Sequence, residues 1–337
     1  MSDPVTEFER KFAGMIGADY AIAVNSGTSA LHTALEALSV RGGEVIMPAL
    51  APGLVAFPII AAGAKPVFAD VDPITQLINV DTVRPRITEK TKAIIAVALH
   101  GLSCDIDHLQ SFGVPIVEDC AQALFARYKD GFAGTFGAFG CYSFEKKKHL
   151  TTGSEGGMLV TSQSSLARRA RQFAHLGYNH LDADGGTRRV PQVHPDYRRF
   201  DRLGLNYRLS EAQSQIGLER LAAIGAAIII RQEIGHLWGD TVGVKFQPHA
   251  YSADNVFYSA AWDYPHDWQA LHDRFVKAGG DGFYAAPLPG YQEPALCHLK
   301  GYRCGQAERL QKHLVCLKTH YSLPEAKRQA EILKGCL

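Results

Sequence analysis

Ala21-Ile22-Ala23-Val24-Asn25-Ser26-Gly27-Thr28-Ser29-Ala30-Leu31 decides the fold. Four apolar residues in a row make a short strand buried on both faces, because a strand with one solvated face alternates. Asn25-Ser26-Gly27 stops it. Ala30, Leu31, Ala34, Leu35 and Leu38 then recur at helical spacing. Moving outward, the same kind of short apolar run returns at residues 44–47, 65–71, 92–99, 115–118, 138–144 and 157–161. Near-continuous apolar strands separated by helices predict an α/β fold with a mostly parallel central sheet flanked by helices.

A basic amphipathic helix is expected over 164–176, where Arg168-Arg169-Ala170-Arg171 reads as a solvated face. Residues 177–205 lack periodicity, and a loop of that length inside a compact domain is usually functional or mobile. Helical spacing resumes over 210–223. Beyond residue 240, short strand and helix signals mix, as in a smaller α+β domain. The expected division is 1–225 for a large α/β domain and 226–337 for a small C-terminal α+β domain.

Composition narrows the function classes. The 337 residues are 46% hydrophobic and 20% charged, with a net charge of +1, so no bulk field draws nucleic acid or a membrane surface. The start, MSDPVTEFERKF, carries no basic stretch followed by an apolar run, and no window of about 18 uncharged apolar residues occurs. A cytoplasmic protein is the expectation. Seven cysteines, with no CxxC pair and no familiar zinc spacing around Cys297, Cys304 and Cys316, read as free thiols and not as a metal site.

In a parallel sheet, ligands gather beyond the carboxyl ends of the strands. That rule selects the residues right after strands: Asn25-Ser26-Gly27-Thr28, His100-Gly101, Asp119 and the stretch after Phe144. Ser26-Gly27-Thr28 opens a helix whose first N–H groups are unpaired and whose dipole favours an anion; it reads equally as a phosphate cradle or a plain N-cap. Asp119, in Val117-Glu118-Asp119-Cys120-Ala121-Gln122, places a carboxylate at the end of a buried strand, where it needs a cation, a donor or a helix to cap. Ser143-Phe144-Glu145-Lys146-Lys147-Lys148-His149 puts three lysines at the end of the next strand. Crowding and burial there would lower a lysine's pKa and sharpen it as a nucleophile; a solvated basic loop is the other reading.

Taken together, in this order and spacing, these motifs resemble the DegT/DnrJ/EryC1/StrS family of PLP-dependent sugar aminotransferases. The resemblance begins at Glu7-Phe8-Glu9, is strongest to about residue 220, and continues to Leu323-Pro324. It implies the fold-type-I aminotransferase architecture and pyridoxal 5'-phosphate as cofactor. Ser26-Gly27-Thr28 then matches the turn holding the cofactor phosphate, and Ser143 a second phosphate contact. Asp119 matches the acid that pairs with the pyridinium nitrogen, and Gln122 the side chain that bonds the phenolic oxygen. In the S-F-x-x-x-K pattern the Schiff-base lysine falls on Lys148, not on Lys146 or Lys147. Asn206, in Gly204-Leu205-Asn206-Tyr207-Arg208, matches a residue that reaches the phosphate of a neighbouring subunit, which implies a homodimer with shared sites.

By the same resemblance the reaction is transamination of a ketosugar, nucleotide-linked, with glutamate or glutamine as amino donor and Lys148 as general base. Two departures stand out. Pro52 occupies the place of the family's ring-stacking aromatic residue, and the family's usual substrate-lining segment ahead of Pro4 is not matched. Arg188, Arg189, Arg198, Arg199 and Arg202 offer arginine forks for a diphosphate. Alternatives are a deoxysugar dehydratase, in which histidine replaces the lysine (His149 is adjacent), a non-catalytic PLP-binding regulator, and a nicotinamide-dependent oxidoreductase. The last lacks a GxGxxG after the first strand.

Overall fold

A computed structural model describes residues 3–179, 181–184, 198–200, 202–246, 255–299 and 301–337. The chain runs α1 (Pro4–Ile16), β1 (Tyr20–Val24), α2 (Gly27–Leu38), β2 (Glu44–Pro48), α3 (Ala56–Ala61), β3 (Lys65–Ala69), α4 (Val80–Val83), β4 (Thr91–Val97), α5 (Ile106–Gln110) and β5 (Ile116–Asp119). A small hairpin, β6 (Arg127–Tyr128) and β7 (Gly131–Phe132), precedes β8 (Phe139–Ser143), β9 (Gly157–Thr161) and α6 (Ser164–Ala174). The remainder is α7 (Glu211–Ala222), α8 (Ile224–Val242), β10 (Ser259–Asp263), α9 (Trp268–Lys277), β11 (Tyr284–Ala285), α10 (Gly305–His313), β12 (Leu314–Lys318) and α11 (Leu323–Lys334).

Seven strands form one sheet in the order β1-β9-β8-β5-β4-β2-β3. Pairing is parallel from β8 through to β3, and β9 is antiparallel to both its neighbours. Six strands therefore point the same way, and their carboxyl ends share one edge. Both faces are covered. On β1, Ile22 and Val24 enter one apolar cluster with α2, while Ala21 and Ala23 enter another with Phe8, Phe12, Tyr142 and Phe144. Alternation along a single strand thus feeds two cores, which is why the run reads as continuously apolar.

A second sheet, β10-β12-β11, is antiparallel and packs with α8, α9 and α11 around Trp238, Phe257, Phe275 and Leu317. No helix among the described residues is long and apolar enough to cross a membrane. No disulfide joins the seven cysteines.

Two details depart from the sequence reading. The third strand ends at Ala69, two residues short of Val71, because Asp70 turns away to accept the N–H groups of Gln306 and Ala307 at 3.0 and 2.8 Å, capping α10. The basic run of α6 is not a solvated face. Arg171 is buried and makes a two-pronged bond to Glu9 of α1 at 3.1 and 2.9 Å, with a third bond to Ala21 O, while Arg168 and Arg169 are half-buried. Helical spacing explains it. Arg171 shares the sheet-facing stripe with Ala167, Ala170 and Ala174, and a buried carboxylate waits there.

Candidate active site

The site lies at the shared carboxyl edge of the sheet. Ser26 caps α2 by accepting the Ser29 N–H at 3.1 Å, so the first backbone N–H groups of the helix stay unpaired within it. This terminus is pressed against β8 and β9. A Cβ on Gly27 would lie 2.8 Å from Ser143 Cβ, and one on Gly157 would lie 2.4 Å from Ser26 O. Glycine at both places lets three chain segments converge on one anion-sized space. The N-cap and cradle readings of this turn are compatible, because capping uses Ser26 Oγ and leaves Gly27 and Thr28 N–H free of helical partners.

A cavity of about 380 Å³ opens here, lined by Ser26, Gly27 and Thr28 together with Asp119, Gln122, Ser143 and Lys148. Seven of the eight site residues expected from the sequence therefore face one space. Asn206 does not line it. It is exposed, on a segment held to the end of β1 by the Asn25 N–H to Tyr207 O bond at 2.8 Å.

Asp119 ends β5, is buried, and accepts the Ala121 N–H at 3.1 Å. Burial pushes its carboxyl up, against the pull of the Ala121 N–H and the nearby Lys148. A cation in the cavity would relieve that cost. Gln122 spends its Oε1 on the His100 N–H at 3.0 Å, so its amide nitrogen is the atom left to donate into the cavity.

Lys148 is held by a turn in which its N–H donates to Glu145 O at 2.9 Å. Its Nζ lies 4.4 Å from the Tyr258 ring centroid. Burial lowers its pKa and Arg231 adds to that, against Asp119, Glu145 and Glu155. The crowding of lysines expected from sequence is not the cause. Lys146 and Lys147 are exposed, and Lys147 Nζ turns outward to bond Tyr284 Oη at 3.2 Å, which raises its own pKa. His149 is buried and bonds Val256 O through Nε2 at 2.9 Å, so the lysine and not the histidine lines the cavity.

The departure at Pro52 is real in the structure. Pro52 lines the wall with Leu54, Val55 and Val97, and no aromatic ring lines this cavity among the described residues. A second cavity of about 320 Å³ shares Pro52 and Gln122 with the first and continues past His100, Ser259, Tyr258 and Tyr284. There His100 Nδ1 lies 2.9 Å from Ser259 Oγ, and burial holds its ring down to about 4, hence neutral. Arg198, Arg199 and Arg202 are exposed and line neither cavity, while Arg188 and Arg189 lie outside the described residues.

His100 carried a signal, its place right after a strand at the ligand-bearing edge, and the sequence reading selected it; Tyr258 and Arg231 were missed. Neither had a signal, because they reach the site from the second sheet and α8 only through tertiary packing.

The chain matches the DegT/DnrJ/EryC1/StrS aminotransferase family over residues 1–330. It is 36% identical over 260 residues to GDP-perosamine synthase from Escherichia coli O157:H7, covering 76% of this chain and 67% of that protein. It is 30% identical over 355 residues to UDP-N-acetyl-3-dehydro-alpha-D-glucosamine 3-aminotransferase from Acidithiobacillus ferrooxidans, covering 98% of this chain and 87% of that one. Among solved structures, the aminotransferase from Psychrobacter cryohalolentis superposes with a TM-score of 0.89 at 25% identity, covering 99% of this chain and 91% of the other.

Proposed function

The chain belongs to the DegT/DnrJ/EryC1/StrS aminotransferase family, and on that premise we propose that it transaminates a ketosugar carried on a nucleotide, using glutamate or glutamine as amino donor and pyridoxal 5'-phosphate as cofactor. One observation carries the reading: a single cavity gathers an unpaired helix N-terminus, a buried carboxylate, an amide and a half-buried lysine from three separate chain segments. The sugar acceptor is favoured by the two relatives, whose names specify nucleotide-linked sugars.

The residues fit the cofactor. Gly27 and Thr28 N–H groups with the Ser143 hydroxyl would hold its phosphate. Asp119 would face its ring nitrogen, Gln122 its phenolic oxygen, and Lys148 Nζ its carbonyl carbon. When bound, the cofactor supplies an electron sink for the donor's α-carbon. Lys148, whose pKa burial lowers, would take the donor's α-proton on Nζ and, in the return half-reaction, deliver one to the acceptor carbon that gains the nitrogen. Pro52, Leu54 and Val55 give the cavity an apolar wall beside that exchange. The donor's amine and the acceptor's ketone carbon react at the same point in turn, so kinetics should be ping-pong.

We place the acceptor in the adjoining cavity, where neutral His100 and Ser259 offer hydrogen bonds to sugar hydroxyls. We further propose a homodimer in which exposed Asn206 reaches the partner's phosphate site, and a division of the chain near residue 225, at the start of α8.

Borohydride reduction of the cofactor-treated protein, followed by peptide mapping, tests the assignment. The mass of the reduced cofactor should appear on Lys148 alone. Attachment at Lys146 or Lys147, or none, contradicts it.

A further inference from the structure

Arg231 is a buried cation that the proposed chemistry does not use. It lies on α8 and is only 8% exposed. Its Nη2 donates to Lys147 O at 2.9 Å and Lys148 O at 3.2 Å, and its Nη1 donates to Thr319 Oγ1 at 3.3 Å. Thr319 is fully buried and its hydroxyl lies 2.5 Å from Phe257 O and 2.8 Å from Tyr258 O. The guanidinium thus ties the lysine loop to the segment that presents the Tyr258 ring to Lys148 Nζ.

All these partners are neutral oxygens. Among the described residues no carboxylate pairs with Arg231, so its charge stays uncancelled. Burying an arginine against neutral groups alone is costly, and an apolar side chain would pack the same space more cheaply. The surroundings of Lys148 supply a use for the charge. Asp119 from β5, Glu145 from its own loop and Glu155 beyond it all favour the ammonium form. Tyr258 shows it a ring face, which also attracts a cation. His149 is buried and held neutral. Only burial and Arg231 push the other way.

We infer that Arg231 is a positioning residue for Lys148: its fork clamps the main chain carrying the lysine, and its charge opposes in part the carboxylates around the amine, which favours the amine as a nucleophile. This rests on the reading of Lys148 as the cofactor-bearing lysine. The inference concerns the cofactor-free chain as well as the loaded one.

The test is site-resolved labelling of the cofactor-free full chain with acetic anhydride from about pH 6 to about pH 11, with Lys147 and Lys318 as references in the same sample. In the unaltered chain Lys148 should titrate below the ordinary lysine value of about 10.4. Arg231→Gln should raise that midpoint by about one unit or more, a roughly tenfold slower labelling at a fixed pH below it. Arg231→Lys keeps the charge and loses the fork, and should leave the midpoint near its original place. An ordinary midpoint in the unaltered chain overturns the inference, as does an equal response of the two variants. If Arg231→Gln does not fold by circular dichroism, Arg231→Met takes its place, since an apolar side chain of similar length suits the buried position. Failure of the borohydride mapping would instead remove the assignment of Lys148, and is read separately from the labelling.

Discussion

At Lys148 three physical effects meet within one side chain: loss of hydration, a cation behind it and carboxylates around it. Its neighbours Lys146 and Lys147 share the composition but not the burial, so only one of three adjacent lysines is suited to nucleophilic work. Asp119 is the complementary group. Replacing it by asparagine keeps the shape and the Ala121 contact but removes the charge that a protonated ring requires. Asp119→Asn should slow the glutamate half-reaction by about a hundredfold or more, with the fold intact by circular dichroism. An undiminished rate would mean that another group holds the ring. Asp119 and the run of lysines were legible in the sequence because they stand at the carboxyl ends of apolar strands, while Gln122, Ser143 and the choice of Lys148 within the run came through the family resemblance. Arg231 and Tyr258 were not legible, because nothing local distinguishes a helix arginine that faces solvent from one that clamps a loop.

At the scale of elements, the cradle depends on how closely α2 approaches β8. Gly27→Ala would put a methyl group 2.8 Å from Ser143 Cβ. One or the other must move, at about 1–3 kcal/mol. Pyridoxal phosphate affinity should fall more than tenfold, measured by absorbance titration; unchanged affinity would show that the contact is not needed. On the far side of the sheet, Glu9 and Arg171 join α1, β1 and α6 through bonds at 2.7–3.1 Å. Arg171→Met alone strands a buried carboxylate and should cost about 3–5 kcal/mol in urea unfolding. The pair Glu9→Leu with Arg171→Met should recover most of that. A single replacement as mild as the double would contradict the pairing. Strand positions were readable from apolar runs, since burial on both faces leaves little polar interruption. The helix face of α6 was misread because charge on a helix signals solvent only when no buried counter-charge exists, and Glu9 is 162 residues away in sequence.

For the molecule as a whole, burial sets a pH dependence. His100 is held down to about 4 and His175 to about 3 by burial, the latter also by Arg171 and Arg208, while His149 and His32 are lowered by burial as well. The unfolded chain protonates each near 6.5 and the folded chain does not. The unfolded state therefore binds more protons, and stability present above 6.5 is lost as pH falls, at roughly 1.4 kcal/mol per pH unit for each histidine fully withheld. Glu118 opposes this: burial raises its carboxyl to about 7, against three backbone N–H bonds, so its contribution is greatest in acid and fades as pH rises through 7. Asp119 is raised in the same sense. His320 is lowered by burial too, and five histidines against two carboxyls leave a net acid sensitivity. Urea midpoints should fall between about pH 7 and about pH 5.5, by the equivalent of at least roughly 1 kcal/mol. A flat profile would mean that these histidines take up protons in the folded chain.

The apolar strands of the large sheet were visible in the sequence, and the smaller antiparallel sheet lies where the signals turn mixed after residue 240. The return of Tyr258, Ser259 and Arg231 to the edge of the large sheet was not visible, because it is made by packing and not by pattern. The central claim is that this edge of the sheet holds pyridoxal phosphate on Lys148 and exchanges amino groups through it. The most direct measurement is the visible absorption spectrum of the protein loaded with pyridoxal phosphate, before and after glutamate or glutamine, beside Lys148→Ala. The account predicts a yellow protein whose visible band declines with one of these donors, and a variant that shows no such change. A protein that takes up no cofactor, or a Lys148→Ala variant that responds to the donor as the unaltered chain does, would contradict it.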